Sequence, residues 1–159
     1  MRSVVCALLI LGCFVSLASS QEVVSGLVIH EIHYDPDVKT DPVEFIEIFN
    51  AGAAAVSLKD WDSLLLVKNR EAFVERYGTD LEGHIAGEFK GKLSNGGEGL
   101  EVADMWQGVI LSFAYDDAWR AGTDGDGLSL ELVNEDLNTL EQSSAWSAST
   151  VQDGSPGSY

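Results

Sequence analysis

Apolar residues in this chain come in short bursts separated by Gly, Asp, Asn and Pro, a spacing that predicts many short strands and little helix. The first burst, Gly26-Leu-Val-Ile-His-Glu-Ile-His-Tyr34, reads as a strand that Asp35-Pro36-Asp37 stops with turn chemistry. The second, Pro42-Val-Glu-Phe-Ile-Glu-Ile-Phe-Asn50, has the β-branched and aromatic content of a strand. Asn50-Ala51-Gly52 reads as a turn into a short strand at Ala54 to Leu58, and Ser63 to Lys68 fits a buried strand. Asn69 has the chemistry of a helix N-cap, Ala72, Phe73 and Tyr77 follow at helical spacing, and Gly78 is a stop, so Arg70 to Tyr77 is the one predicted helix. Strands are then expected at Ile85 to Phe89, Gly99 to Ala103, Val109 to Tyr115 and Leu128 to Val133, with a turn at Ser94-Asn95-Gly96-Gly97 and a loop at Asp124-Gly125-Asp126-Gly127. The tail from Gln142 is Ser-rich but carries Trp146, which is expected to dock on the domain. Short strands with Gly-rich turns predict an all-β sandwich with one short helix, and no repeat or interdomain linker interrupts it.

The N-terminus changes the expected compartment. Arg2, the apolar run Val4 to Val15, and small residues before Gln21 have the layout of a secretory signal, with Ala18 and Ser20 at the −3 and −1 positions. Residues 1–20 are expected to be a signal peptide and residues 21–159 one domain. The rival is an N-terminal anchor, but the run falls short of the roughly 20 apolar residues that span a bilayer. Both cysteines, Cys6 and Cys13, lie in this segment, so packing rather than disulfides must hold the mature domain. Ile10-Leu11-Gly12-Cys13 faintly resembles a lipoprotein processing site, the minor alternative, although apolar residues continue to Leu17. The expected location is secreted, periplasmic or extracellular, with no membrane span after cleavage. The formal net charge is −17, and losing Arg2 with no acid leaves −18, which repels nucleic acid and anionic lipid.

Several segments, in order, resemble the lamin-tail domain, an immunoglobulin-like β-sandwich with many exported bacterial members. Leu27 to Pro36 is similar to that family's first strand and its Asp-Pro stop, and Glu44-Phe-Ile-Glu-Ile-Phe-Asn50 to its second. Val56-Ser-Leu-Lys-Asp-Trp61 resembles the segment that follows, Lys68 to Gly78 its helical excursion, and Leu93-Ser-Asn-Gly-Gly-Glu98 its L-S-N-G-G-[ED] turn. Asp116-Asp117, Leu128-Ser-Leu-Glu131, Trp146-Ser-Ala-Ser149 and Gly154-Ser-Pro-Gly157 fall where similar elements close that domain. The resemblance covers nearly the whole mature chain, although each motif alone is only a strand edge or a turn. One departure stands out: Trp61-Asp62 runs directly into Ser63, where the family has about twenty more residues, judged by ordinary strand and loop lengths. The rest of the chain closes over that gap, or a partner covers it, or the sequence is truncated there. A free edge at Ser63 to Val67 would invite strand addition by a partner.

Candidate chemistry is sparse. His30-Glu31-Ile32-His33 is not a zinc-protease motif, because that needs histidines four apart on a helix. Strict alternation along a strand would send His30 and His33 to opposite faces, and likewise Glu44 and Glu47. Whether Glu31 pairs with either glutamate depends on register. Asp124 and Asp126, with Asp116 and Asp117 if the loops meet, resemble part of a calcium site, and Asp35, Asp37 and Asp41 form a second acidic loop. Calcium is the only cofactor the residues suggest. Trp61 and Trp146 are expected in the core, whereas Trp106 and Trp119 follow loops and are candidates for stacking on a sugar or anchoring a protein. His84 has no serine motif near it, and G-x-S-x-G, P-loop and dinucleotide fingerprints are missing from the sequence.

The expected function is a non-catalytic exported module that binds protein or a cell surface, as the family resemblance implies. The rival is a carbohydrate- or calcium-dependent binding module, which predicts Trp106 or Trp119 exposed beside Asp124 and Asp126. A hydrolase comes third and would need Glu31, Asp116 and a histidine to converge.

Overall fold

A computed structural model describes residues 26–51, 63–103, 108–134 and 139–158. Residues 1–20, expected to be a signal peptide, with Cys6 and Cys13, the strand expected at Ala54 to Leu58, Trp61 and Trp106 lie outside the described residues. Among the described residues, eight strands and one α-helix follow in chain order: β1 Leu27–His33, β2 Phe45–Asn50, β3 Ser63–Val67, α1 Arg70–Tyr77, β4 Ile85–Glu88, β5 Glu98–Ala103, β6 Val109–Tyr115, β7 Leu130–Leu132 and β8 Trp146–Ala148. The strands form a six-stranded sheet, ordered β4-β3-β2-β1-β7-β8, and a two-stranded β5-β6 sheet. The molecule is therefore β-rich, and the larger sheet is mixed, because β3 and β4 run parallel.

The two sheets share one core. Ile29, Ile32, Ile46, Ile48, Leu64 and Leu66 from the large sheet pack with Leu100, Val102, Phe113 and Tyr115 from the small one. Trp146 joins them, 1 % exposed, as its sequence position predicts.

The large sheet buries its other face too. Phe45, Leu65 and Val67 form a second cluster with Ile85 and with Phe73 of α1. This explains the unbroken apolar run of β3: a strand covered on both faces has no polar side to alternate with. α1 keeps the predicted bounds. Asn69 caps it by accepting from the Ala72 N–H at 2.8 Å, and Phe73 is its one buried residue. Eight residues are too few for a helix to stand alone, so the Phe73 anchor and the cap hold it in place.

β3 is paired on both sides, antiparallel to β2 and parallel to β4. The free edge expected at Ser63 to Val67 does not exist, and strand addition there is ruled out. The chain leaving β3 crosses over through α1 and returns as β4 alongside it, so its own later strand closes that edge. Among the described residues, no helix is long and apolar enough to cross a membrane.

Candidate functional site

The polar residues of the first two strands meet on the helix-side face of the large sheet. Pairing advances from Ile29↔Ile48 to Glu31↔Glu47, so β1 spends one residue more than β2 and bulges at His30. The bulge resets the alternation. Ile29 and Ile32 both face the shared core, while His30, Glu31 and His33 all face the other side. The expectation that His30 and His33 point to opposite faces is corrected by this extra residue. The signal was present in the sequence as a change of phase: Leu27 and Ile29 are two apart, then Ile32 and Tyr34, with a step of three between the pairs.

Register also answers the question of the carboxylates. Glu31 lies directly opposite Glu47 on β2 and opposite Glu131 on β7, so three glutamates form a row across three strands. Glu31 and Glu47 are 0 % exposed. Glu44 faces away from Glu47, as alternation predicts, and accepts from the Leu93 N–H at 2.8 Å.

The C-terminal segment roofs this row. The Ser155 N–H donates to Glu31 Oε1 at 2.8 Å and the Ser155 hydroxyl to Glu131 Oε1 at 2.7 Å. The Gly157 N–H is shared between the two Glu47 oxygens at 3.1 and 3.3 Å. From below, Ser63 Oγ donates to Glu47 Oε1 at 2.6 Å and Ser129 Oγ donates to Glu31 Oε1. Glu31 Oε2 is buried with no hydrogen-bond partner. His30 Nδ1 lies 3.8 Å from Glu47 Oε2. At Gly154, with φ of 83°, a methyl group would run into Glu31 Oε1 and lie 2.9 Å from Ser129 Oγ. Only glycine brings the backbone this close.

α1 ties the same segment down. Tyr77 Oη donates to the Asp153 carbonyl at 2.8 Å and lies 3.3 Å from His33 Nδ1. Arg76 bridges Asp153 and Asp41, each at 2.8 Å. Sequence reasoning missed Ser129, Glu131, Gly154, Ser155 and Tyr77 as parts of this cluster, because long-range pairing alone assembles them.

Burial sets the electrostatics. The Glu31 carboxyl is pushed up to about 7, chiefly by loss of solvent, with Glu47 and Glu131 adding repulsion against the opposing Ser129 and Ser155 hydrogen bonds. Burial lowers His30, but the Glu47 carboxylate 3.8 Å away, with Glu31 and Glu131, outweighs it and leaves His30 raised. His33 is lowered by burial. These shifts fix a stability profile. Glu31 ionises less readily folded than unfolded, so its contribution is full below about pH 4.5 and is lost as pH rises through about 7. The loss is about 3 kcal/mol from a shift of that size. The raised His30 loses stabilisation in the same direction, while the lowered His33 acts oppositely, costing stability as pH falls below its ordinary value of 6.5. Thermal melting is expected to show Tm falling between pH 5.5 and 8, with Glu31→Gln flattening most of the slope. An equally steep slope in that variant would mean that other groups carry the dependence.

Within the cluster, the Ser63 hydroxyl donates to Glu47. Ser63 is also 0 % exposed. Asp116 stands apart from this face, exposed and capping the Ala118 N–H at 2.9 Å.

The acidic loops gather at one end. Asp35 is 3 % exposed and bound by Lys39 Nζ at 2.5 Å and by the Asn95 amide. The Gly125 backbone lies against Lys39 and Asp35, and the Gly127 backbone against Asp37. The Ser94–Gly97 turn packs on Tyr115 and Asp116, with Tyr115 Oη donating to the Ser94 carbonyl at 2.8 Å. The 35–39, 94–97, 115–117 and 124–127 segments are therefore neighbours, with Asp37, Asp116, Asp124 and Asp126 exposed among them. Where the two acidic loops meet, the Lys39 ammonium supplies the positive charge. Among the described residues, no group of three or more His, Cys, Asp or Glu side chains is arranged to hold a metal ion.

Trp119 differs from its expected exposure. It is partly buried against the shared core, 6.2 Å from both the Phe113 and the Trp146 ring centroids. The short 3-10 turn Asp117–Trp119 leaves it half-buried beside Phe113 and Trp146.

No protein-family model, no curated protein and no solved structure matches this chain.

Proposed function

We propose that this chain is a non-catalytic exported binding module, a lamin-tail-like immunoglobulin-type sandwich that engages a basic protein surface through its acidic loop end. One observation carries the reading: four loop segments meet at one end of the fold and present exposed aspartates from three of them, on turns held by hydrogen bonds. Held loops bind with little ordering cost, and a concentrated negative field speeds encounter with a cationic partner. The order of the motifs and the core shared between the two sheets support the sandwich and its family. The groups with acid–base chemistry lie roofed over on a sheet face, which favours binding over catalysis. A calcium ion would have to displace the Lys39 ammonium, and a sugar would find Trp119 half-buried, so a protein partner suits this end better.

Titration with a lysine- and arginine-rich peptide, followed by amide NMR, tests the reading. Shifts are expected at 35–39, 94–97, 115–117 and 124–127, with affinity falling as salt rises. Asp124→Lys combined with Asp126→Lys should weaken binding by about tenfold or more. Shifts centred on another face, or affinity unchanged in the double variant, would rule this surface out.

A further inference from the structure

We propose that the C-terminal segment Gly154–Gly157 is a pH-responsive strap, seated on the Glu47–Glu31–Glu131 row in acid and lifting from it as the medium turns alkaline. The geometry comes first. Three carboxyl groups sit at matching register on neighbouring strands, where directly opposed side chains are about 5 Å apart and like charges repel. Glu31 is in the middle, wholly buried, with Oε2 unpartnered. The strap holds all three through polar contacts, by the Ser155 N–H, the Ser155 hydroxyl and the Gly157 N–H. Such a roof stays closed while Glu31 at its centre is uncharged, and buried charge without a counter-ion draws water in.

The groups facing Glu31 decide the direction. On the sheet they are His30 and His33 of β1, Glu47 of β2 and Glu131 of β7. Tyr77 reaches Glu31 from α1, and the charges around Tyr77 are Asp153 at the near end of the strap, Arg76 of α1 and Asp37 of the loop after β1. Arg76 is already committed to Asp153 and Asp41, which leaves His30 as the cation-forming side chain against Glu47. As pH rises, Glu31 gains a negative charge through about 7, and His30 loses its positive charge above its ordinary range. Both changes make the layer more negative. The near end remains tied, since the Asp153 N–H donates to the Gly127 carbonyl at 2.8 Å and Tyr77 holds the Asp153 carbonyl. Gly154 is then the natural hinge.

Native-state hydrogen exchange at pH 5.5 and 8, corrected for intrinsic rates, tests this. The Ser155 and Gly157 amides are expected to be less protected than those of β2 and to lose about tenfold in protection at the higher pH. Glu31→Gln should remove most of that loss. If that variant does not fold, Glu131→Gln, at a half-buried site, should reduce it instead. Strap amides exchanging together with β2 at both pH values would show that no separate strap motion exists. A loss of protection equal in wild type and the folded variants would show that the row does not drive it.

Discussion

Trp146→Ala is expected to remove about 3–5 kcal/mol of stability, the range for truncating a large buried aromatic. Trp146 is 1 % exposed and stacks on Phe113 with centroids 5.0 Å apart and planes 25° from parallel. Trp119 completes the group at 6.2 Å, and the indole N–H donates to the Leu140 carbonyl at 2.7 Å. Truncation would therefore open a cavity between the two sheets and orphan a carbonyl in one step. No cysteine lies among the described residues, so no disulfide limits the damage there. With typical domain stability at about 5–15 kcal/mol, much of the margin would go. Urea denaturation reads this directly. A loss below about 1.5 kcal/mol would be inconsistent with a close-packed Trp146.

Gly97→Ala is expected to cost about 2–4 kcal/mol, from a left-handed backbone of φ 82° together with a clash that cannot relax. The added methyl would lie 2.9 Å from Asp116 Cα and nearer still to the Tyr115 carbonyl oxygen, both backbone atoms. To make room, β5 would have to part from β6 at Glu98↔Tyr115, or the Ser94–Gly97 turn would have to open. Gly96 is an internal control. Its backbone has no positive φ and a Cβ there meets nothing within 4 Å, so Gly96→Ala should change stability by about 0.5 kcal/mol or less. Equal effects at the two positions would contradict this turn geometry.

The same turn shows how far local reading reaches. Ser94-Asn95-Gly96-Gly97 is recognisable as a turn from its residues alone. Which glycine cannot be replaced depends on the strand that passes behind it, and that strand is distant in the chain. The candidate site divides in the same way. Glu31, Glu47, His30 and His33 stand out as chemically capable residues in the sequence, but the row needs Glu131 and its roof needs Ser155 and Gly157, all far along the chain. The calcium candidates illustrate the converse. Asp35 and the Asp124 loop do meet, yet Lys39, which nothing in the local sequence singles out, enters between them.

The sequence by itself determined the elements. The bursts of apolar residues placed β1 to β7 within a few residues of their observed ends, and Asn69 and Gly78 bounded α1 at Arg70 and Tyr77, whereas the tail that forms β8 was expected only to dock through Trp146. Those signals are local: a period, a cap, a stop. Tertiary structure decided the faces and the neighbours. The bulge at His30 turned two histidines to one side, the return of β4 closed the edge of β3, and the packing of Phe113 and Trp146 drew Trp119 inward. Each outcome depends on which surfaces must be buried against one another, and that is a property of contacts between segments far apart in the chain.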